Sequence, residues 1–373
     1  MAIRGSRHGR LLWAAGLVAI WLAYAGSPGC GEGVQEAAKD EPKGWRETVI
    51  EMVSGITLAA EHGTLFYAYD TLAYPGQPVE LMASVISLKE MEGVEGADVE
   101  FLLGQTSLGK VKTDSGGHAR LNWTPPKPGD YGLTAKIVAV PEKDFEDMLK
   151  CAPTPLLVSA RTKDTKFVVL DLDHTVVASS FFRVLFGGAK PMPESAEVVK
   201  ELSKDYSVIY LTQRPGLLTV KSKNWLTGNG FPRAPLLVSE FKQAVGDSGK
   251  FKTGRLKALR EQFPNVAIGI GDKISDAEAY VANGLKAYLI PHYDRQDDGD
   301  VRDMAEKVGK LNQDIQVVDD WEQIRAGILK ARKYPPGTYA AGLKALAGKL
   351  EADKRKREEE KRRRKRREEE DDD

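Results

Sequence analysis

Cysteine is nearly missing from this chain: Cys30 and Cys151 are the two in 373 residues. Two thiols can form one disulfide in an oxidising compartment, but Cys30 falls in a polar, Gly-rich stretch that reads as flexible, so no disulfide framework and no metal–thiolate site is expected. Histidine is scarce too, and His62, His118, His174 and His292 show no ligand spacing, so each reads as an ordinary surface or turn residue. Net charge is absent: 54 Lys and Arg balance 54 Asp and Glu. That balance gives no overall pull toward nucleic acid or an anionic membrane, and no nucleic-acid partner is expected. An apolar run long enough for a comfortable membrane span is lacking at the N-terminus. LLWAAGLVAIWLAYA (Leu11–Ala25) is 15 residues, or roughly 22 Å as a helix, short of a bilayer core. Preceded by Arg4, Arg7 and Arg10, it fits the apolar core of a signal peptide. Ala23-Tyr24-Ala25 is an acceptable cleavage site, and Ser27-Pro28-Gly29-Cys30 is a poor lipobox that would attach lipid at Cys30. Residues 1–30 therefore read as a signal peptide or lipoprotein signal, and the protein as extracytoplasmic, in a bacterial periplasm or membrane-attached.

What is present divides the chain. Residues 31–60 open polar and punctuated by Gly and Pro, as a linker does. Residues 61–160 carry short alternating runs joined by Gly, Pro and Asp turns: YPGQPVELMASVIS, GADVEFLLG, TSLGKVKT, GHARLNWTPP and GDYGLTAKIVAV. This pattern predicts an antiparallel β-sandwich. The YPGQPV start and the TDSGGHARLNWTPPKPGDYGLTAKI run resemble bacterial immunoglobulin-like domains. No acidic cluster or basic stripe interrupts it, so its expected role is structural or spacing.

Residues 164–333 change pattern again. Strand-like runs at Phe167–Val177, Ser207–Thr212, Pro235–Ser239 and Val266–Asp272 alternate with helical stretches at Glu194–Lys204, Leu217–Leu226, Thr253–Phe263 and Ser275–Ala282. Such alternation predicts a parallel, Rossmann-like α/β sheet, with ligands beyond the carboxyl ends of its strands. Asp171 and Asp173 (FVVLDLDHT), Thr212 (YLT) and Asp272 (GIGD) all fall at such ends, and Asp276 follows four residues later. Acids gathered there suit Mg²⁺ and a phosphoester. The cation offsets repulsion between a carboxylate and an anionic phosphate. One carboxylate can then act as nucleophile and another as general acid and base. A hydroxyl and an ammonium can clamp the phosphoryl oxygens.

The order DLDHT, YLTQR, a lysine at a helix start, and GDKISD resembles the four motifs of haloacid-dehalogenase (HAD) superfamily phosphatases. Over residues 165–293 the likeness is nearer still. YLTQRPGLLTVKSKNWL, PLLVSE, KFKTGRLKALREQFP and GIGDKISDAEAYVANGL resemble the catalytic domain of lipin-type phosphatidate phosphatases and the related domains of actin-patch phosphatidate phosphatases and Nir-type phosphatidylinositol transfer proteins. The resemblance implies Asp171 as nucleophile and Asp173 as acid and base. It implies Thr175, Thr212 and Lys252 as phosphate contacts, with Lys250 the alternative lysine, and Asp171, Asp173, Asp272 and Asp276 around Mg²⁺. His174 departs from the usual Gly, and Thr212-Gln213-Arg214 replaces a Ser-Ala-Arg type segment. Some relatives bind lipid without turnover, having lost an acid of the first motif; both acids stand here.

The gaps between motifs hold no large cap, so the site is expected to be open. Phe181–Phe186 (FFRVLF) lies beside it, either as ordinary core packing or as lipid contact. The implied substrate is phosphatidate or a related lipid phosphate, with contact to a membrane surface. A general phosphomonoesterase and a non-catalytic head-group binder are the rival readings. Residues 334–350 read as a C-terminal helix. Residues 351–373 carry 11 basic and 11 acidic residues and almost nothing apolar. They read as a charged disordered tail or a lone solvated helix.

Overall fold

The computed structural model describes residues 60–179, 184, 188–240 and 248–371. The signal segment, the linker and nearly all of Phe181–Phe186 lie outside the described residues. The first part of the chain is a β-rich region of two facing sheets. One contains β1 (Thr64–Ala68), β3 (Val79–Ser87), β4 (Glu92–Gly93) and β7 (His118–Trp123). The other runs β2 (Thr71–Ala73), β9 (Thr154–Ala160), β8 (Gly129–Ala139), β5 (Asp98–Leu103), β6 (Thr106–Lys112). Period-two alternation turns Leu81, Ala83 and Val85 of β3 toward Val99 and Phe101 of β5 and Leu133, Ala135 and Ile137 of β8, and these form one buried core. The pairing is antiparallel except between β2 and β9, which run parallel. Tyr69 and Asp70, between β1 and β2, carry the chain from the first sheet to the second.

The second part is a six-stranded, all-parallel sheet in the order β12-β11-β10-β13-β14-β15. Its strands are β10 (Phe167–Leu170), β11 (Ser207–Pro215), β12 (Leu236–Ser239), β13 (Val266–Gly271), β14 (Lys286–Leu289) and β15 (Gln316–Val317). Around it stand α1 (Ser195–Leu202), α2 (Thr219–Gly228), α3 (Ser248–Gln262), α4 (Ile274–Ala282), α5 (Asp298–Gly309) and α6 (Trp321–Leu329). All four residues of β10 are buried, as a central parallel strand requires. Asp320 caps α6 by accepting from the Gln323 amide at 2.8 Å.

Two features differ from the sequence reading. The final helix, α7 (Pro336–Asp371), runs on without a break at residue 350, so the charged segment takes the helical one of its two expected forms and continues the helix before it. Its first part is anchored: Leu343 and Ala347 bury against Val301 and Ala305 of α5. Beyond that, Arg355 meets Glu351 one turn earlier, the i,i+4 spacing that supports a solvated helix.

The other difference concerns the β-rich region, which is no detached spacer. Leu65, Tyr67 and Tyr69 belong to the same buried cluster as β10 and β11, and Leu72 to the cluster on the sheet's other face. A Cβ on Gly216 would come within 2.4 Å of the Tyr67 ring, so only glycine lets that ring close on the chain after β11.

Candidate active site

The site forms where β10, β11 and β13 end. The Asp171 amide still bonds the Ile270 carbonyl of the neighbouring strand at 2.9 Å. One residue later the chain turns: the amides of Thr175, Val176 and Val177 all donate to the Leu172 carbonyl. Because the strand stops between them, Asp171 and Asp173 take different surroundings.

Asp171, Asp272 and Asp276 come together, with one carboxylate oxygen from each lying within 4.8 Å of the others. Asp272 follows β13 directly, and Asp276 stands in the first turn of α4. Gly271 makes the approach close, since a Cβ there would sit 3.0 Å from that of Asp276. Lys252, from the first turns of α3, is 2% exposed. Its Nζ lies 2.8 Å from Asp171 Oδ1 and 2.6 Å from Asp276 Oδ2. Lys250 is exposed, so Lys252 is the lysine that enters the cluster.

Three buried carboxylates and one ammonium leave an excess of negative charge. Burial first, then the carboxylates of Asp171 and Asp276, push Asp272 up to about 8 against the pull of Lys252 and Lys273. Burial also raises Asp276, against the pull of Lys252. Burial alone would lower Lys252, but Asp171 and Asp276 outweigh it and hold the ammonium above its ordinary range. Asp272 Oδ1 and Asp276 Oδ1 are buried and have no hydrogen-bond partner. Orphaned hard oxygens beside surplus negative charge fit a divalent cation such as Mg²⁺.

The Asp173 carboxylate lies outside that cluster and has partners of its own. Both its oxygens accept from Arg214, Nη2 to Oδ1 at 2.6 Å and Nε to Oδ2 at 3.0 Å. Arg214 Nη1 in turn donates to Ser222 Oγ at 2.9 Å. The β11–β12 register shifts between Leu211 and Pro215, which re-aims the strand end that carries Thr212 and Arg214. Thr212 is buried there, its hydroxyl accepting from the Arg214 amide at 3.2 Å. Thr175 is wholly buried with its hydroxyl unpartnered, and its carbonyl accepts from Trp321 Nε1 at 2.9 Å.

Sequence reasoning gave no role to Arg214, although it stands two residues past Thr212 at the same strand end. It also left His174 and His292 scattered. They stack at this edge, ring centroids 4.1 Å apart, with His174 in left-handed backbone at φ 53°. Burial, then His292, with Lys273, lower the His174 imidazole against the pull of Asp173 and Asp171.

Comparison with known proteins bears on this segment. Residues 168–290 match the family model described as PITM 1-3, LNS2 domain. The segment is LNS2-like. The LNS2 model belongs to the lipin/LNS2 HAD-like phosphatase family, and the match takes in every acid named above together with Thr212 and Lys252. No curated protein matches the chain. Among solved structures, the D0-D1 domain of Intimin aligns at TM-score 0.19 and 22% identity, over 26% of this chain and 46% of that one. The Pnkp1/Rnl/Hen1 RNA repair complex aligns at TM-score 0.31 and 15% identity, over 43% and 58%. The chain thus spans about half the length of either. Among the described residues, no helix is long and apolar enough to cross a membrane.

Proposed function

We propose that this protein is a Mg²⁺-dependent phosphatase that hydrolyses a phosphomonoester through an aspartyl-phosphate, with phosphatidate or a related lipid phosphate as substrate. The observation that carries this reading is the buried Asp171–Asp272–Asp276 cluster with its two orphaned oxygens, inside the LNS2-like segment. Asp171, Asp272 and Asp276 would hold the cation, which supplies charge neutralisation at the phosphoryl oxygens.

The chain's own residues supply the rest. An Asp171 oxygen attacks phosphorus as the bond from phosphorus to the leaving oxygen breaks. One Asp173 oxygen, released from its Arg214 bond and carrying a proton, gives that proton to the leaving oxygen while the other oxygen stays on Arg214. Asp173 then takes a proton from water, whose oxygen displaces Asp171 and yields inorganic phosphate. Thr212 and Lys252 orient the phosphoryl group from the two sides of Asp171. The β-rich region is proposed to be an immunoglobulin-like fold. An extracytoplasmic location, reached by the N-terminal signal, would put the open site beside a membrane surface.

The test is release of inorganic phosphate from phosphatidate in mixed micelles and from p-nitrophenyl phosphate, with and without Mg²⁺. Mg²⁺-dependent release from phosphatidate, abolished in Asp171→Asn, is the expected result. Release from p-nitrophenyl phosphate alone would make the protein a general phosphomonoesterase. Release from neither, with phosphatidate vesicles still bound, would make it a head-group binder.

A further inference from the structure

Ser222 and Lys223 are neighbours on α2, and they are tied to opposite parts of the molecule. Ser222 Oγ accepts from Arg214, the residue that clamps both oxygens of Asp173. Lys223 Nζ donates to Asp70 Oδ1 at 2.6 Å. Asp70 comes from the two-residue link between β1 and β2, far away in the sequence. Its side chain is wholly buried. Its Oδ1 also accepts from the Leu157 amide of β9 at 2.7 Å, and its Oδ2 from the Leu236 amide of β12 at 2.9 Å. One carboxylate thus joins a strand of the β-rich region and a strand of the parallel sheet to α2.

A buried charge pair is a poor way to gain stability, since well-packed apolar groups serve as well. What it adds is direction, because three donors fix the carboxylate and the carboxylate fixes the ammonium. A second contact bears on the same stretch of chain. The Tyr67 ring of β1 closes over Gly216, between Arg214 and Ser222.

We propose that Asp70 is a positioning residue for the phosphatase site: through Lys223 it sets α2, and through Ser222 of α2 it sets the Arg214 clamp on the proton-transferring Asp173. This rests on the phosphatase reading above. Asp70 touches no reacting atom. Its effect falls on proton delivery to the leaving group, not on attack by Asp171 or on capture of the phosphate.

That distinction can be measured. An alkoxide leaving from phosphatidate needs a proton, whereas nitrophenolate leaves without one. Asp70→Asn and Lys223→Met are compared with wild type in the full chain with Mg²⁺, on phosphatidate and on p-nitrophenyl phosphate. A poorly aimed general acid costs on the order of 10–100-fold. Both variants should lose about that much kcat on phosphatidate with KM held, and less than about threefold on p-nitrophenyl phosphate. Lys223→Arg should restore most of the loss, since a guanidinium can also reach the carboxylate. Lys223 is partly exposed, so Asp70→Asn leaves an ammonium that water can reach and supplies a folded variant even where Lys223→Met, which strands the buried Asp70 carboxylate, does not fold. Equal losses on both substrates, or no loss on either, would overturn the proposal. A wild type inert to both substrates overturns the phosphatase reading itself, and the positioning role with it.

Discussion

Replacing Lys252 with methionine tests the electrostatics of the site without requiring turnover. The ammonium is 2% exposed and lies between Asp171 at 2.8 Å and Asp276 at 2.6 Å. Removing one partner of a buried ion pair costs about 3–5 kcal/mol, because the charges left behind have no compensation. For a folding unit of about 310 residues that is a fall in Tm of about 5–8 °C. The carboxylates can relieve the loss by taking up protons. Asp272 is already pushed up to about 8 by burial and by Asp171 and Asp276, and Asp276 is raised as well. A carboxyl whose folded pKa exceeds its unfolded value contributes stability that is whole below the unfolded pKa and is lost as pH climbs through the folded one. Metal-free Lys252→Met should therefore show a small deficit at pH 6 and its full deficit at pH 9. Mg²⁺ substitutes for the protons, and at 100 times its Kd it adds about 2.7 kcal/mol. Thermal melts with EDTA and with Mg²⁺, at both pH values, read this out. A metal-free variant that melts with wild type at pH 9, or a Mg²⁺ shift equal in the two proteins, would refute the reasoning.

Gly216→Val should destabilise by about 1–3 kcal/mol in urea titration, since the new Cβ would meet the Tyr67 ring at 2.4 Å. Trp321→Phe strands the buried Thr175 carbonyl and should cost about 1–3 kcal/mol, seen in the same titration. Truncation after Arg357 removes only solvated helix and should leave Tm within about 2 °C, exposed ion pairs being worth about 0–1 kcal/mol. Truncation after Gly342 removes buried Leu343 and Ala347 and should lower Tm clearly more. Residues 164–371 expressed alone should give no cooperative melt, whereas residues 60–371 should.

The centre of the parallel sheet was legible because β10, β13 and the first part of β11 are short apolar runs that stop at a chemically distinctive residue. Asp171, Thr212 and Asp272 could be placed on one edge from that alone. The strand β14 escaped notice because Lys286–Leu289 opens on a lysine that leans over the Tyr288 ring, which breaks the apolar signature. The surroundings of Asp173 were hidden for a different reason. Spacing along a strand says that two acids are near one another, but the turn at Leu172 decides which neighbours each one meets. The Arg214 clamp, the His174–His292 stack and the Asp70–Lys223 pair join residues far apart in sequence. No local periodicity encodes such pairs; they exist only once the strand order is known.

The role expected for residues 61–160 changes most. A turn-rich alternating pattern says that a β-sandwich can bury one face of each sheet, and a self-sufficient core of that kind does form around Phe101 and Leu133. The pattern is silent about what the ends of the strands do. Leu65, Tyr67, Tyr69 and Leu72 leave the sandwich and fill the two faces of the parallel sheet instead. At about 1.5–3 kcal/mol for each fully buried large side chain, they contribute up to about 6–12 kcal/mol. The net stability of a whole domain is about 5–15 kcal/mol. Contributions of that size cannot be removed and leave the parallel sheet standing. The β-rich region is thus part of the same folding unit as the acids at the strand ends.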